Sequence, residues 1–123
     1  MKKSLLKLSI VFCTTLSIVF SYSCKKTLEG ITDCLAETSL TSINAAVDPN
    51  NTKVYTFNVN YGGTHNLGTV KWKFGDGSET TSIGAETVTH TFKEGTFVVV
   101  ANADITKNDD KCDAPVEKTV VVN

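Results

Sequence analysis

Along residues 34–123, apolar and polar side chains alternate with a period of two in segment after segment. Val54-Tyr55-Thr56-Phe57-Asn58-Val59-Asn60-Tyr61 places Tyr55, Phe57, Val59 and Tyr61 on one face. Val70-Lys71-Trp72-Lys73-Phe74 turns Val70, Trp72 and Phe74 inward and both lysines outward. Alternation of this kind belongs to half-buried strands, because successive side chains of an extended chain point to opposite faces. Val88 to Phe92, Thr96 to Ala103 and Val116 to Val122 read as further strands. Leu35 to Val47 is expected to hold the first strand, with Leu40 and Ile43 among its apolar residues. No helical periodicity and no internal repeat is visible. Turn chemistry separates the strands. Pro49 pre-sets φ in Asp48-Pro49-Asn50-Asn51, Gly62-Gly63 and Gly68 bracket a loop, and Lys93-Glu94-Gly95 makes a corner. Gly75-Asp76-Gly77-Ser78 is a tight reversal that needs residues tolerant of positive φ. Six or seven short strands in about 90 residues predict an all-β antiparallel sandwich of about seven strands.

Residues 1–23 have a different character. Lys2, Lys3 and Lys7 form a basic start, and Leu8 to Phe20 is apolar apart from Ser and Thr. As a helix that stretch spans roughly 20 Å, short of the ~30 Å hydrocarbon core. It therefore reads as the apolar region of a secretory signal peptide. Ser21-Tyr22-Ser23 supplies small residues at the first and third positions before the next residue, Cys24.

A basic start, an apolar stretch and a small-x-small-Cys junction resemble the lipobox of bacterial lipoproteins. The resemblance implies cleavage before Cys24 and acylation of Cys24 with diacylglycerol and a fatty acid such as palmitate. Residues 24–33 (CKKTLEGITD) would then be a lipidated tether. Fully extended, it reaches about 35 Å at most. Acyl chains, at about 0.8 kcal/mol per buried methylene, would hold the protein on a membrane. With Cys13 in the removed segment and Cys24 acylated, Cys34 and Cys112 remain as an even pair in an oxidising compartment. The three lysines of the signal leave with it. The remaining chain has nine lysines against 13 acids, a balance of −4. No arginine is present, and an acidic balance argues against nucleic acid as a partner.

Three blocks within 34–123 resemble the PKD domain. They are Val70-Lys71-Trp72-Lys73-Phe74-Gly75-Asp76-Gly77-Ser78, then His90-Thr91-Phe92, then Gly95-Thr96-Phe97-Val98-Val99. That family is an immunoglobulin-like sandwich with a W-x-F-G-D-G-S signature, an H-T-[YF] block and a G-x-[YF]-x-V block. Lys73 stands where the family usually has Asp, and Phe92 and Phe97 replace the commoner tyrosines. The resemblance implies structural roles for Trp72, Phe74, Gly75, Asp76, Gly77, His90, Phe92, Gly95 and Phe97. Trp72 would fill the centre between the sheets, the glycines would let the backbone reverse, and Asp76 would bond turn amides. It also implies that the start of the first strand and the start of the last lie at one end. That makes a Cys34–Cys112 disulfide geometrically credible, beside the alternative of two separate thiols.

Chemistry in the remaining residues is sparse. Cys34, His65, His90 and Cys112 contain no spacing of a zinc site. Ser78 has Asp76 nearby but no nucleophile elbow around it. The run Asn108-Asp109-Asp110-Lys111-Cys112-Asp113 reads as a solvated loop between the last two strands. It is one place where Ca²⁺ would find oxygen ligands; Asp48, Asn50, Asn51 and Asp76 are another. No metal, cofactor or catalytic residue is assigned. The expected function is that of a non-catalytic, membrane-anchored cell-envelope lipoprotein. Its PKD-like domain would act as a spacer or bind protein or polysaccharide, on the periplasmic side of a bacterial membrane or at the cell surface. The alternatives are a structural lipoprotein without a specific ligand and a small secreted hydrolase. The loops at 61–69 and 105–114 are expected to face the membrane. A partner is therefore expected at the outward loops, on Asp76, Glu79, Lys93 and Glu94, with the outward Lys71 and Lys73 as a second face.

Overall fold

A computed structural model describes residues 34–123, which form one compact unit. The signal peptide 1–23, the lipidation site Cys24 and the tether 24–33 lie outside the described residues. Seven strands follow one short helix, α1 (34–39). They are β1 (Thr41–Asp48), β2 (Asn51–Tyr61), β3 (Asn66–Lys73), β4 (Glu79–Ile83), β5 (Val88–Thr91), β6 (Gly95–Lys107) and β7 (Asp110–Val122). Two antiparallel sheets result, one ordered β1-β2-β5 and the other β4-β3-β6-β7. This is an immunoglobulin-like sandwich in which the fourth strand joins the sheet of the third, sixth and seventh.

The alternation places the core between the sheets. Phe57 and Val59 of β2 are fully buried, and so are Val70 and Trp72 of β3 and Val99, Ala101 and Ala103 of β6. Trp72 sits opposite Ala101 in the β3–β6 register, so the largest side chain faces one of the smallest. Its indole N–H donates to Ser82 Oγ at 2.9 Å, which satisfies the one polar atom the ring takes out of water. Phe57 lies 6.1 Å from Trp72 and is itself flanked by Phe74 and, edge-on, by Phe92.

Three expectations need correction. The stretch expected to open the first strand is partly helical: α1 takes 34–39 and β1 starts only at Thr41. Leu35 and Leu40 are accordingly exposed, while Ile43 is in the core. Six residues are under two helical turns, too few to display a period. The helix is instead fastened by side chains that add bonds to its carbonyls. Thr38 Oγ1 donates to the Cys34 carbonyl, Ser39 Oγ to that of Ala36 and Thr41 Oγ1 to that of Glu37.

The acidic run is not a loop. β6 and β7 pair without interruption from Gly95↔Val122 to Lys107↔Asp110, leaving Asn108 and Asp109 as a tight hairpin turn. Asn108 takes φ 54°, a conformation that asparagine tolerates well. Cys112 therefore lies inside the last strand and not before it, and Cys34 opens a helix and not a strand. Finally, β4, with its run of Thr80, Thr81 and Ser82, is a strand the alternation did not reveal. Its one inward side chain, Ser82, is polar.

Cys34 and Cys112 are nonetheless joined in a disulfide, with Cα atoms 5.5 Å apart. The bridge ties α1 to β7 across 78 residues of chain. On chain-entropy grounds a loop of that size is worth about 4.5 kcal/mol.

Candidate functional site

Polar side chains gather at two places, one at each end of β3. The first is the reversal after β3. Gly75 and Gly77 adopt φ of 80° and 91°, as the turn requires. Phe74 N–H donates to the Ser78 carbonyl at 3.0 Å, and Asp76 Oδ1 accepts from Ser78 N–H at 3.0 Å. Asp76 Oδ2 accepts from His90 Nε2 at 2.7 Å, and the His90 ring stacks flat on Phe74 with centroids 4.0 Å apart. The His90 bond, reinforced by the Ser78 amide, holds the Asp76 carboxyl below the usual carboxylate range against the opposing effect of burial.

Gly75 is required for a second reason. A Cβ there would stand 2.7 Å from the Val98 carbonyl oxygen, so the turn packs directly on the backbone of β6. Phe92 and Phe97 stack at 4.9 Å, and Gly95 opens β6 beside them. Thus Phe74, Gly75, Asp76, Gly77, His90, Phe92, Gly95 and Phe97 form one connected cluster, with Trp72 behind it in the core.

The other residues expected at this end stay on the surface. Lys53 Nζ lies 3.2 Å from Glu94 Oε1, Lys73 Nζ lies 3.8 Å from Glu79 Oε1, and Lys93 is exposed. Asp48 Oδ1 accepts from Asn50 N–H at 2.8 Å, and Asn51 Oδ1 accepts from Lys53 N–H at 3.1 Å. These are the bonds of turns closing on themselves. Lys71 and Lys73 project from the outer face of the β4-β3-β6-β7 sheet, as expected from their register.

The second place was not singled out in the sequence. Glu37 of α1 is the one charged residue buried among the described residues, at 8% exposure. Its Oε2 accepts a hydrogen bond from the Tyr61 hydroxyl. Its Oε1 lies 2.9 Å from His65 Nδ1 without forming a hydrogen bond to it. The Tyr61 hydroxyl also accepts from His65 N–H at 3.2 Å, and the Leu40 carbonyl accepts from Gly62 N–H at 2.9 Å. Burial first, and then the bond to Glu37, push the Tyr61 hydroxyl above its ordinary pKa. A groove of about 500 Å³ opens beside this cluster, lined by Asn58, Asn60, Tyr61, His65, Asn66 and Ala85 among others. No single motif would have found it, because its members come from α1, the end of β2 and the following loop.

The acidic hairpin has its own electrostatics. Asp104 and Asp113 are directly opposite, a like-charge pair that is unfavourable by itself. Lys111 Nζ lies 3.1 Å from Asp104 Oδ2. That bond is the main reason the Asp104 carboxyl is held low. Among the described residues no group of three or more His, Cys, Asp or Glu side chains is arranged to hold a metal ion. Comparison with protein-family models, curated proteins and solved structures finds no match to this chain.

Proposed function

We propose that this chain is a non-catalytic, lipid-anchored protein of a bacterial cell envelope, whose PKD-like domain serves as a binding or spacer module. The observation that carries the reading is the meeting of three separated sequence blocks. The G-D-G-S turn, the H-T-F block and the G-x-F-x-V block touch through Asp76–His90, Phe74–His90 and Phe92–Phe97. The residues of the resemblance thus have a shared mechanical purpose, which is to pin the β3–β4 turn onto β5 and β6. The basic-apolar-Cys24 pattern supports the anchor.

Metabolic labelling with an alkyne analogue of palmitate in a bacterial host tests the anchor. The wild-type chain takes the label and sediments with membranes, whereas Cys24→Ala is unlabelled and soluble. Label retained by Cys24→Ala would overturn the lipoprotein reading. A glycan array and an envelope pull-down with the anchored protein test the module; retention of no envelope component would leave the spacer role.

A further inference from the structure

α1 has its polarity reversed. Its one charged side chain, Glu37, points into the domain, whereas Leu35, and Leu40 just past its end, stand 67% and 46% exposed. Ala36 and Ser39 are exposed beside them, so 34–40 turns no charge to the outside. A surface helix in water carries the opposite arrangement, with charge outward and leucine inward. Scattered surface leucines are ordinary, but burying a carboxylate while two leucines face out is unfavourable twice over unless the outside is apolar. The helix also lies at one extremity of the sandwich. Glu37 and the Leu40 carbonyl hold it to Tyr61 and Gly62 at the end of β2, and the disulfide holds it to β7 beside the β6–β7 hairpin. Its outer face is therefore a fixed surface at that end. The chain from Cys24 arrives at the same place, since Cys34 opens the helix.

We propose that the outer face of α1, through Leu35, Ala36 and Leu40, seats in the interfacial layer of the membrane that carries the Cys24 anchor. The domain then stands with its disulfide end on the bilayer and its G-D-G-S end outward. Two leucines and an alanine are too little apolar surface to bind a membrane from solution. Residues 24–33, however, span about 35 Å at most. Within that reach of an anchored Cys24 the contact is intramolecular, so a weak affinity suffices. Attraction to anionic headgroups is not its source. The hairpin at this end carries Asp109, Asp110 and Asp113 against Lys107 and Lys111, and Lys111 is engaged by Asp104. The surface fits lipid through its apolar side chains. The proposal rests on the lipid-anchor reading and is independent of any ligand of the module.

The test uses the full-length acylated protein in vesicles of phosphatidylethanolamine and phosphatidylglycerol whose acyl chains carry bromine, which quenches tryptophan on contact. Trp72 is fully buried and serves as the internal reference. In Leu35→Trp and in Leu40→Trp the added fluorescence falls by about half or more, and it stays quenched in about 0.5 M salt. In Val121→Trp, an exposed site at the opposite end of β7, it falls by less than about a tenth. Leu40→Ser added to Leu35→Trp lowers the seated fraction by about threefold. Both leucines are exposed, so these variants keep the fold. An acylated protein with no quenching at 35 and 40 overturns the proposal and leaves the anchor standing, whereas a chain that takes no palmitate label overturns both. Quenching of Val121→Trp as deep as that of Leu35→Trp overturns the fixed orientation. Concentration-dependent shielding of the new tryptophan without quenching also overturns the proposal and assigns the face to a second copy of the chain.

Discussion

At each end of β3 a histidine meets a carboxylate, and the two ends treat the charge in opposite ways. At the G-D-G-S turn, Asp76 is partly exposed and accepts from both an amide and His90. Its charged form is favoured, so its carboxyl is held low. At the disulfide end, Glu37 is buried and its firm partner is a neutral phenol, whose proton is held more tightly than usual. Burial makes the difference. A half-solvated carboxylate gains from each donor, whereas a buried one first loses its hydration and then depends on every partner it keeps. The first end is a self-contained turn. The second is assembled from distant segments and closed by a covalent bond.

The strongest way to break the comparison is to open the bridge. Cys34→Ser with Cys112→Ser should cost about 4.5 kcal/mol on chain-entropy grounds. Hydrogen exchange should then rise in 34–41 and 61–66 while 74–78 and 90–92 keep their protection. Equal loss at both ends would mean that they are not separable. Next comes Gly75→Ala, which combines a positive φ with a Cβ against the Val98 carbonyl. About 3 kcal/mol is expected in urea unfolding, with the loss centred on the signature end.

Tyr61→Phe follows at about 2 kcal/mol, since it leaves both Glu37 Oε2 and His65 N–H without the hydroxyl. The pH dependence has a definite sign. Tyr61 binds its proton more tightly when folded, so its contribution is complete below the ordinary tyrosine value of about 10. It is lost as pH rises through the higher folded value. Alkaline unfolding of wild type should therefore show a component that Tyr61→Phe lacks. Asp76→Asn is the smallest change, about 1.5 kcal/mol, because the amide oxygen can still accept from Ser78 N–H. Here the sign reverses. The contribution of Asp76 is complete above the ordinary aspartate value of about 3.9 and is lost as pH falls through its lower folded value. Acid titration of the two proteins by circular dichroism should converge at low pH; curves that stay parallel would remove the electrostatic account.

The signature end was legible because its information is local. Alternation placed Val70, Trp72 and Phe74 inward, and the two glycines around Asp76 announced a reversal. What the residues did not announce was the partner of Asp76. His90 read only as a structural polar group, and its match to the carboxylate depends on β5 lying next to the turn. At the disulfide end only the Cys34–Cys112 pairing was legible. Glu37 has no pattern around it that marks a buried acid, and Tyr61 looked like another inward aromatic of β2. The acidic run looked like a loop because charge suggested solvent. Both Asp104 and Asp113 instead sit in a ladder, where Lys111 offsets their repulsion.

Strand periodicity and turn residues were enough to determine an all-β sandwich with Trp72 facing inward, because these are properties of neighbours in the chain. Tertiary structure decided the rest. It made 34–39 a helix, because a disulfide and a buried carboxylate outweigh the weak preference of six residues. It placed β4 beside β3 and returned the chain to the other sheet for β5, which pairs only with Val54–Phe57 of β2. Where the chain changes sheets is set by packing between distant segments, which no local pattern encodes.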